Sequence, residues 1–230
     1  MAKKIAVIGL GVFGIRVAIE LSRKGADVIA LDNDMERLDD VKEHVAHAVR
    51  IDSTDETALK AQGVHDMDVV IVGIGDNFEA ALLTIAALQN IGAKRIVVRG
   101  TTSTHERILN HLGIKEVILP AEEAAERLAT NLIFENVIDS FELSSDYSIA
   151  EISAPETFIG RTVTELELRQ TYNVNLITIK RQQEKRTMFG LQKKKMATIL
   201  GIPSSDTYIE RGDVLMVFGR KKELERLASA

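Results

Sequence analysis

The chain has 230 residues, 45% of them hydrophobic, and a formal net charge of −5. That length allows one large domain or two smaller ones, and the apolar share supports a real core and excludes disorder; the acidic balance, with a pI near 5.6, argues against a general nucleic-acid binder, which shows a basic footprint. Zero cysteines exclude disulfides, cysteine-ligated zinc and a thiol nucleophile, and fit a reducing compartment.

The opening MAKK leads straight into a strand, so no signal peptide is expected. No apolar run approaches the ~18 to 20 residues of a membrane span. A soluble cytoplasmic protein is expected, without direct membrane insertion.

Lys4–Ile8 is continuously apolar after its first residue, as suits a parallel strand covered on both faces. It runs into glycines at 9, 11 and 14. Gly9 permits a tight turn, Gly11 lets a ligand approach the main chain, and Gly14 lets the next helix pack on the strand. That helix, Phe13–Arg23, aims its positive end at a phosphate or pyrophosphate. A second strand, Asp27–Leu31, ends at Asp32, 18 residues past Gly14, which completes the dinucleotide pattern of an acid about 20 residues on. A carboxylate there accepts from both ribose hydroxyls and repels a 2′-phosphate.

A helix over Met35–Glu43 and a strand over Ala46–Ile51 follow. Asp52, Ser53 and Thr54 can line an adenine pocket, while Ser53-x-x-Glu56 also reads as a capping box for a helix over Asp55–Ala61. After the strand Asp68–Val72, Asn77 beyond Gly75 either reaches the ligand or caps the helix Phe78–Ile91. Strand Arg95–Val98, helix His105–Leu112 and strand Glu116–Leu119 complete the series. Gly25, Gly63, Gly92 and Gly113 stand where helices end. Six strands alternating with five helices give an α/β class, a doubly wound, Rossmann-like parallel sheet over residues 1–120.

Residues 121–141 read as one long crossover helix, with Ala125, Leu128, Leu132, Ile133, Val137 and Ile138 on a broad apolar stripe. That stripe covers the sheet edge or docks on a second subunit. Residues 142–230 read as a second, smaller α+β domain. Its elements are one or two strands in FELSSDYSIAEIS, a short helix after Gly160, strands at NVNLITIKRQ and DVLMVFG, and a closing helix KKELERLAS. Strands between Thr187 and Tyr208 stay unassigned, and the basic run Gln192–Met196 reads as a solvated loop.

Other clusters read blandly. His44 and His47 beside Glu43 lack a second ligand group and are expected to face solvent. Glu122 and Glu123 sit at a helix start, where the dipole favours acids with or without a metal. Redox catalysis needs a proton donor or acceptor beside the cofactor. All five histidines lie at or before His111, and Tyr147, Tyr172 and Tyr208 are followed four residues on by Glu151, Leu176 and Gly212 rather than lysine. No catalytic residue and no metal ligand is expected, leaving an NAD-dependent oxidoreductase as the alternative reading. A DNA regulator would need a recognition helix and a basic face.

Several stretches together carry a family likeness: Gly9-Leu10-Gly11-Val12-Phe13-Gly14 with Asp32, RIDSTD (Arg50–Asp55), VIVGIGDN (Val70–Asn77), and ELELRQTYNVNLITIKR followed by RGDVLMVFG. Over essentially its whole length the chain resembles the RCK-type regulatory subunits of bacterial potassium transporters and channels, the KtrA/TrkA group. The resemblance implies a cytosolic gating ring on the inner face of the cell membrane, a homo-oligomer from dimer to octamer. Its partner would be a potassium-translocating subunit of KtrB/TrkH type. It implies ATP, ADP or NAD(H) bound by Gly9, Gly11, Val12, Phe13, Gly14, Asp32, Asn33, Asp52, Ser53, Thr54, Gly75, Asn77 and Arg99. It also implies that the helix after the sixth strand crosses to a neighbouring subunit, and that C-terminal modules pair and in some members bind cyclic di-AMP.

The chain departs from the family in two places. Val12 stands where many members carry an arginine that touches a terminal phosphate, with Arg16 one turn on and Arg99 at a basic family position. Losing that charge-assisted bond weakens discrimination between ATP and ADP and leaves NAD(H) open. Ala121 stands where members often have a glutamate that holds a divalent cation, which puts a metal site in doubt.

Overall fold

The computed structural model describes residues 2–133, 136–186 and 193–230. The chain divides after Glu123 into two compact units.

The first unit is built on strands β1 (Lys4–Ile8), β2 (Asp27–Asp32), β3 (His47–Arg50), β4 (Val69–Val72), β5 (Ile96–Arg99) and β6 (Glu116–Ile118). Helices α1 (Val12–Arg23), α2 (Met35–Asp39), α3 (Glu56–Ala61), α4 (Phe78–Asn90) and α5 (Ser103–His111) alternate with them. Every pairing is parallel, in the order β3-β2-β1-β4-β5-β6. The order reverses between β1 and β4, which opens a crevice at the carboxyl ends of the strands.

The apolar run of β1 has its cause in two cores. Ala6 and Ile8 pack with Leu59, Ile85, Leu88 and Leu109 on one face, while Ile5 and Val7 pack with Ala18, Leu38 and Val41 on the other. Successive side chains point to opposite faces, so a strand buried on both must be apolar throughout. Gly25, Gly63, Gly92 and Gly113 take positive φ of 87°, 68°, 76° and 82°, the left-handed conformation that ends a helix. The stretch expected as one helix over Met35–Glu43 is α2 followed by a separate 3₁₀ turn, Lys42–His44.

The expected helix over 121–141 is corrected. Helix α6 (Pro120–Ile133) ends eight residues short of Phe141, and strand β7 (Val137–Glu142) takes the end of that stretch, while Phe134 and Glu135 lie outside the described residues. Val137 is buried in the core of the second unit, whereas Leu128, Leu132 and Ile133 are exposed. The apolar spacing thus joins two elements of different period.

The second unit adds β8 (Tyr147–Ser153), α7 (Leu168–Tyr172), β9 (Asn175–Arg186), β10 (Lys193–Ile199), β11 (Val214–Arg220) and α8 (Lys221–Ala228). The antiparallel order is β10-β9-β11-β8-β7. Buried residues alternate along β8 and β11, because one face packs on Leu224, Leu227 and Leu168 of the helices and the other does not. The basic run read as a loop is corrected too. Residues Lys193–Met196 open the edge strand β10, a place where charge blocks further pairing; Gln192 and the rest of 187–192 lie outside the described residues. Among the described residues no helix is long and apolar enough to cross a membrane.

Candidate functional site

A cavity of about 230 Å³ opens at the β1/β4 switch point. Its wall brings together the turn after β1 (Gly9, Gly11), the end of β2 (Asp32, Asn33), the turn after β3 (Ile51–Thr54), the turn after β4 (Gly73–Asn77) and Arg99 of β5.

The glycines divide by what surrounds them. Gly9 has φ +87°, and a Cβ there would lie 2.9 Å from the Ile74 amide nitrogen. A Cβ on Gly14 would meet the Gly9 carbonyl oxygen at 1.9 Å, an overlap with main chain that cannot be accommodated, so Gly14 is the contact that seats α1 against the loop. Gly11 is different: its backbone is extended and a Cβ would meet nothing within 4 Å. The space beside Gly11 belongs to the cavity.

Helix α1 is also the helix of this sheet that lacks a side-chain cap. Asp34, Asp55, Asn77 and Thr102 each accept from a backbone N–H in the first turn of α2, α3, α4 and α5. Gly11 offers no such acceptor to α1, and no acid stands in the first turn. The first N–H groups of a helix have no partner within it, and here they are left for an anion together with the positive helix end.

Asp32 is 7% exposed and already occupied on both oxygens. Oδ2 accepts from the Leu10 N–H at 2.5 Å and Oδ1 from the Asp34 N–H at 2.9 Å. The carboxylate therefore closes the glycine turn against β2 and presents its remaining lone pairs to the cavity. Arg50 Nε donates to the Asn33 carbonyl at 2.9 Å, fixing that turn from β3.

Asp52 accepts from the Thr54 hydroxyl at 2.7 Å and the Thr54 N–H at 2.9 Å, which holds its carboxyl below the usual carboxylate range. The capping box read at Ser53 is corrected. Asp55 caps α3, accepting from the Thr57 and Ala58 amides at 2.8 and 3.3 Å, and the Ser53 hydroxyl instead pairs with Thr84 at 2.8 Å. Thr84 is fully buried on α4, so the turn after β3 is tied to that helix. Asn77 serves both expected roles of position, capping α4 through Ala80 N–H at 3.0 Å while lining the cavity.

Of the sequence-chosen residues, Gly9, Gly11, Asp32, Asn33, Asp52, Ser53, Thr54, Gly75, Asn77 and Arg99 share the cavity wall. Val12, Phe13 and Gly14 do not line it: Val12 is 86% exposed, Gly14 is under the turn, and Phe13 lies beneath Arg99, whose Cζ is 5.7 Å from the ring centre. Arg16 is exposed and outside the wall. Sequence reasoning missed Arg37, Asp76 and Gly73, which line the cavity. Gly73 had a readable signal, a glycine closing an apolar strand; Arg37 had none. His44 and His47 are exposed, and the described residues contain no cluster of metal-ligating side chains.

Residues 5–120 match the TrkA-N domain family and residues 148–230 the TrkA-C domain family. The chain is 34% identical to the Ktr system potassium uptake protein C of Bacillus subtilis, over 98% of this chain and 96% of that protein. The RCK domain of GsuK shares the fold with a TM-score of 0.64 at 16% identity, over 100% of this chain and 48% of that one. The GsuK channel bound to NAD gives a TM-score of 0.61 at 16% identity, over 99% and 40%. The chain thus spans about half or less of those solved chains, and nearly all of its Ktr relative. With both domains in order and a Ktr potassium uptake protein matched over nearly its whole length, the chain belongs to the TrkA family of potassium uptake proteins.

Proposed function

We propose that this protein is a nucleotide-sensing regulatory subunit that gates a membrane potassium transporter or channel. The observation that carries the reading is the uncapped N-terminus of α1 facing a cavity whose neighbouring wall holds the buried Asp32. The main-chain N–H groups suit a pyrophosphate and the carboxylate suits an adenosine ribose. ADP, ATP and NAD(H) all contain that unit, and GsuK, of the same fold, has been solved with NAD. Val12 puts no cation beside a terminal phosphate, which favours ADP or NAD(H) over strict ATP selectivity.

Among the described residues the cavity wall supplies three carboxylates and two guanidiniums, but no histidine, tyrosine or lysine. Ligand binding without turnover fits that inventory better than hydride transfer, which needs a proton relay at the substrate. A ring of subunits then moves a gate only so far as the nucleotide prefers one ring shape over the other. The Ktr relationship supports a membrane potassium-translocating subunit as the partner.

Calorimetry of ADP, ATP, NAD and NADH on the full chain, with oligomer mass recorded in each state, tests the proposal. Gly11→Asp sharpens it, because a side chain there has room to fold but puts a negative charge where the phosphates rest. Like-charge juxtaposition costs several kcal/mol, so affinity should fall on the order of 100-fold or more while the unfolding midpoint holds or rises, since Asp can cap the bare N-terminus of α1. Unaltered affinity in that variant, or a strictly monomeric protein at micromolar concentration, would defeat the reading.

A further inference from the structure

We propose that Arg37 is the adenine-contacting residue of this site, its guanidinium plane forming one wall of the base slot; the inference rests on the nucleotide reading above. Strand order fixes where each part of the ligand falls. The phosphates belong over the β1–α1 turn and the ribose at Asp32 on β2, so the base must extend beyond β2, toward β3. The groups that line the cavity toward β3 include Asn33, Arg37 and Ile51–Thr54.

Among the described residues, none that lines the cavity is aromatic. The planar cationic groups that the described lining offers to a purine face are the two guanidiniums. Arg99 stands on β5, on the far side of β1 and β4, where it covers the Phe13 ring and comes within 2.6 Å of a Cβ on Gly75. Arg37 is the one on the base side.

Its bonding leaves the guanidinium available. Arg37 lies 3.9 Å from Asp32 Oδ2 and 3.5 Å from Asp34 Oδ2, both long, and forms no hydrogen bond among the described residues. At 3.9 Å the Asp32 contact is an ion pair without a hydrogen bond. The side chain stays 47% exposed. Two neighbouring carboxylates offset its charge, which makes it a poor phosphate anchor, while its planar face is still open to a π system.

The test compares ADP with inorganic pyrophosphate, which lacks the base, on wild type, Arg37→Ala and Arg37→Lys, with urea unfolding of each variant. A cation–π stack of about 1 to 2 kcal/mol corresponds to a 5- to 30-fold loss of ADP affinity in Arg37→Ala. Lysine keeps the charge and loses the plane, so Arg37→Lys should lose nearly as much. Pyrophosphate affinity and the unfolding midpoint should not move. Equal losses for ADP and pyrophosphate would make Arg37 a phosphate cation and overturn the inference, as would full ADP affinity in either variant. A wild-type protein that binds pyrophosphate but no adenine nucleotide would instead remove the nucleotide reading, and this inference with it.

Discussion

Asp32 in the parallel unit and Asp213 in the antiparallel unit are both buried, at 7% and 1% exposure, yet they hold different kinds of partner. Asp32 accepts two main-chain N–H groups and borders a cavity. Asp213 receives a two-pronged Arg181 fork at 2.8 and 2.7 Å as well as the Glu210 N–H at 2.9 Å. Arg181 continues to the Tyr208 carbonyl at 2.8 Å and to Glu210, and Asp213 raises its pKa by that side-chain bond first. Asp213 thus accepts three bonds against two at Asp32, and its work is to pin the loop before β11 onto β9. Asp32 keeps more acceptor capacity because it takes one amide per oxygen and no third donor, leaving a further lone pair on each.

The contrast follows from sheet type. A parallel sheet covered on both faces has its free space at the loop edge, and there the chain approaches itself through glycine. An antiparallel sheet covered on one face must secure its long connections by side-chain bonds. The largest test of this contrast is Gly14→Ala. Overlap with the Gly9 carbonyl should cost about 3 kcal/mol or more, against at most ~1 kcal/mol of helix propensity gained. Urea unfolding of the full chain should show that loss, together with lost nucleotide affinity, whereas Gly11→Asp should lose affinity alone. Equal midpoints for Gly14→Ala and wild type would mean that α1 separates freely from the turn.

On the antiparallel side, Asp213→Ala should destabilise by about 3 kcal/mol, because it leaves a mostly buried guanidinium without its main partner. Asp213→Leu combined with Arg181→Met should regain most of that, since the cost lies in the unpaired charge. Nucleotide affinity should stay at wild type in both. If the double variant were as unstable as the single, the network would be stabilising in itself rather than merely costly to break.

How much of this was legible varies with the same division. The continuous apolar run of β1, the four glycine helix ends and the Gly9/Gly11/Gly14 spacing with Asp32 each have one dominant physical cause, and each was readable. The end of α6 was not, because Val137 and Ile138 extend an apolar spacing that fits a helix, while a strand's alternation shows only over more residues. Lysines at the start of β10 read as loop because an edge strand carries charge for reasons of pairing, not of burial. Thr84 and Arg37 left no signal, since their partners stand 31 and 5 residues away in chain and are joined only by the fold.

The smallest effect is expected where the two units differ least, at an exposed carboxylate held by its own turn. Asp52 is kept below the usual carboxylate range chiefly by the Thr54 hydroxyl, then by the Thr54 amide. Its folded pKa is depressed, so the stability it adds is present above the unfolded pKa and is lost as pH falls through the lower folded value. Thr54→Val removes the larger cause and keeps the amide bond. The Asp52 carboxyl should then titrate at a higher pH by NMR, nearer the ordinary value, and the small stability difference between the proteins should vanish in acid, where both carboxyls are protonated. An unshifted Asp52 titration in Thr54→Val would assign the depression to the main chain, making this turn an Asx motif that any residue at position 54 could complete.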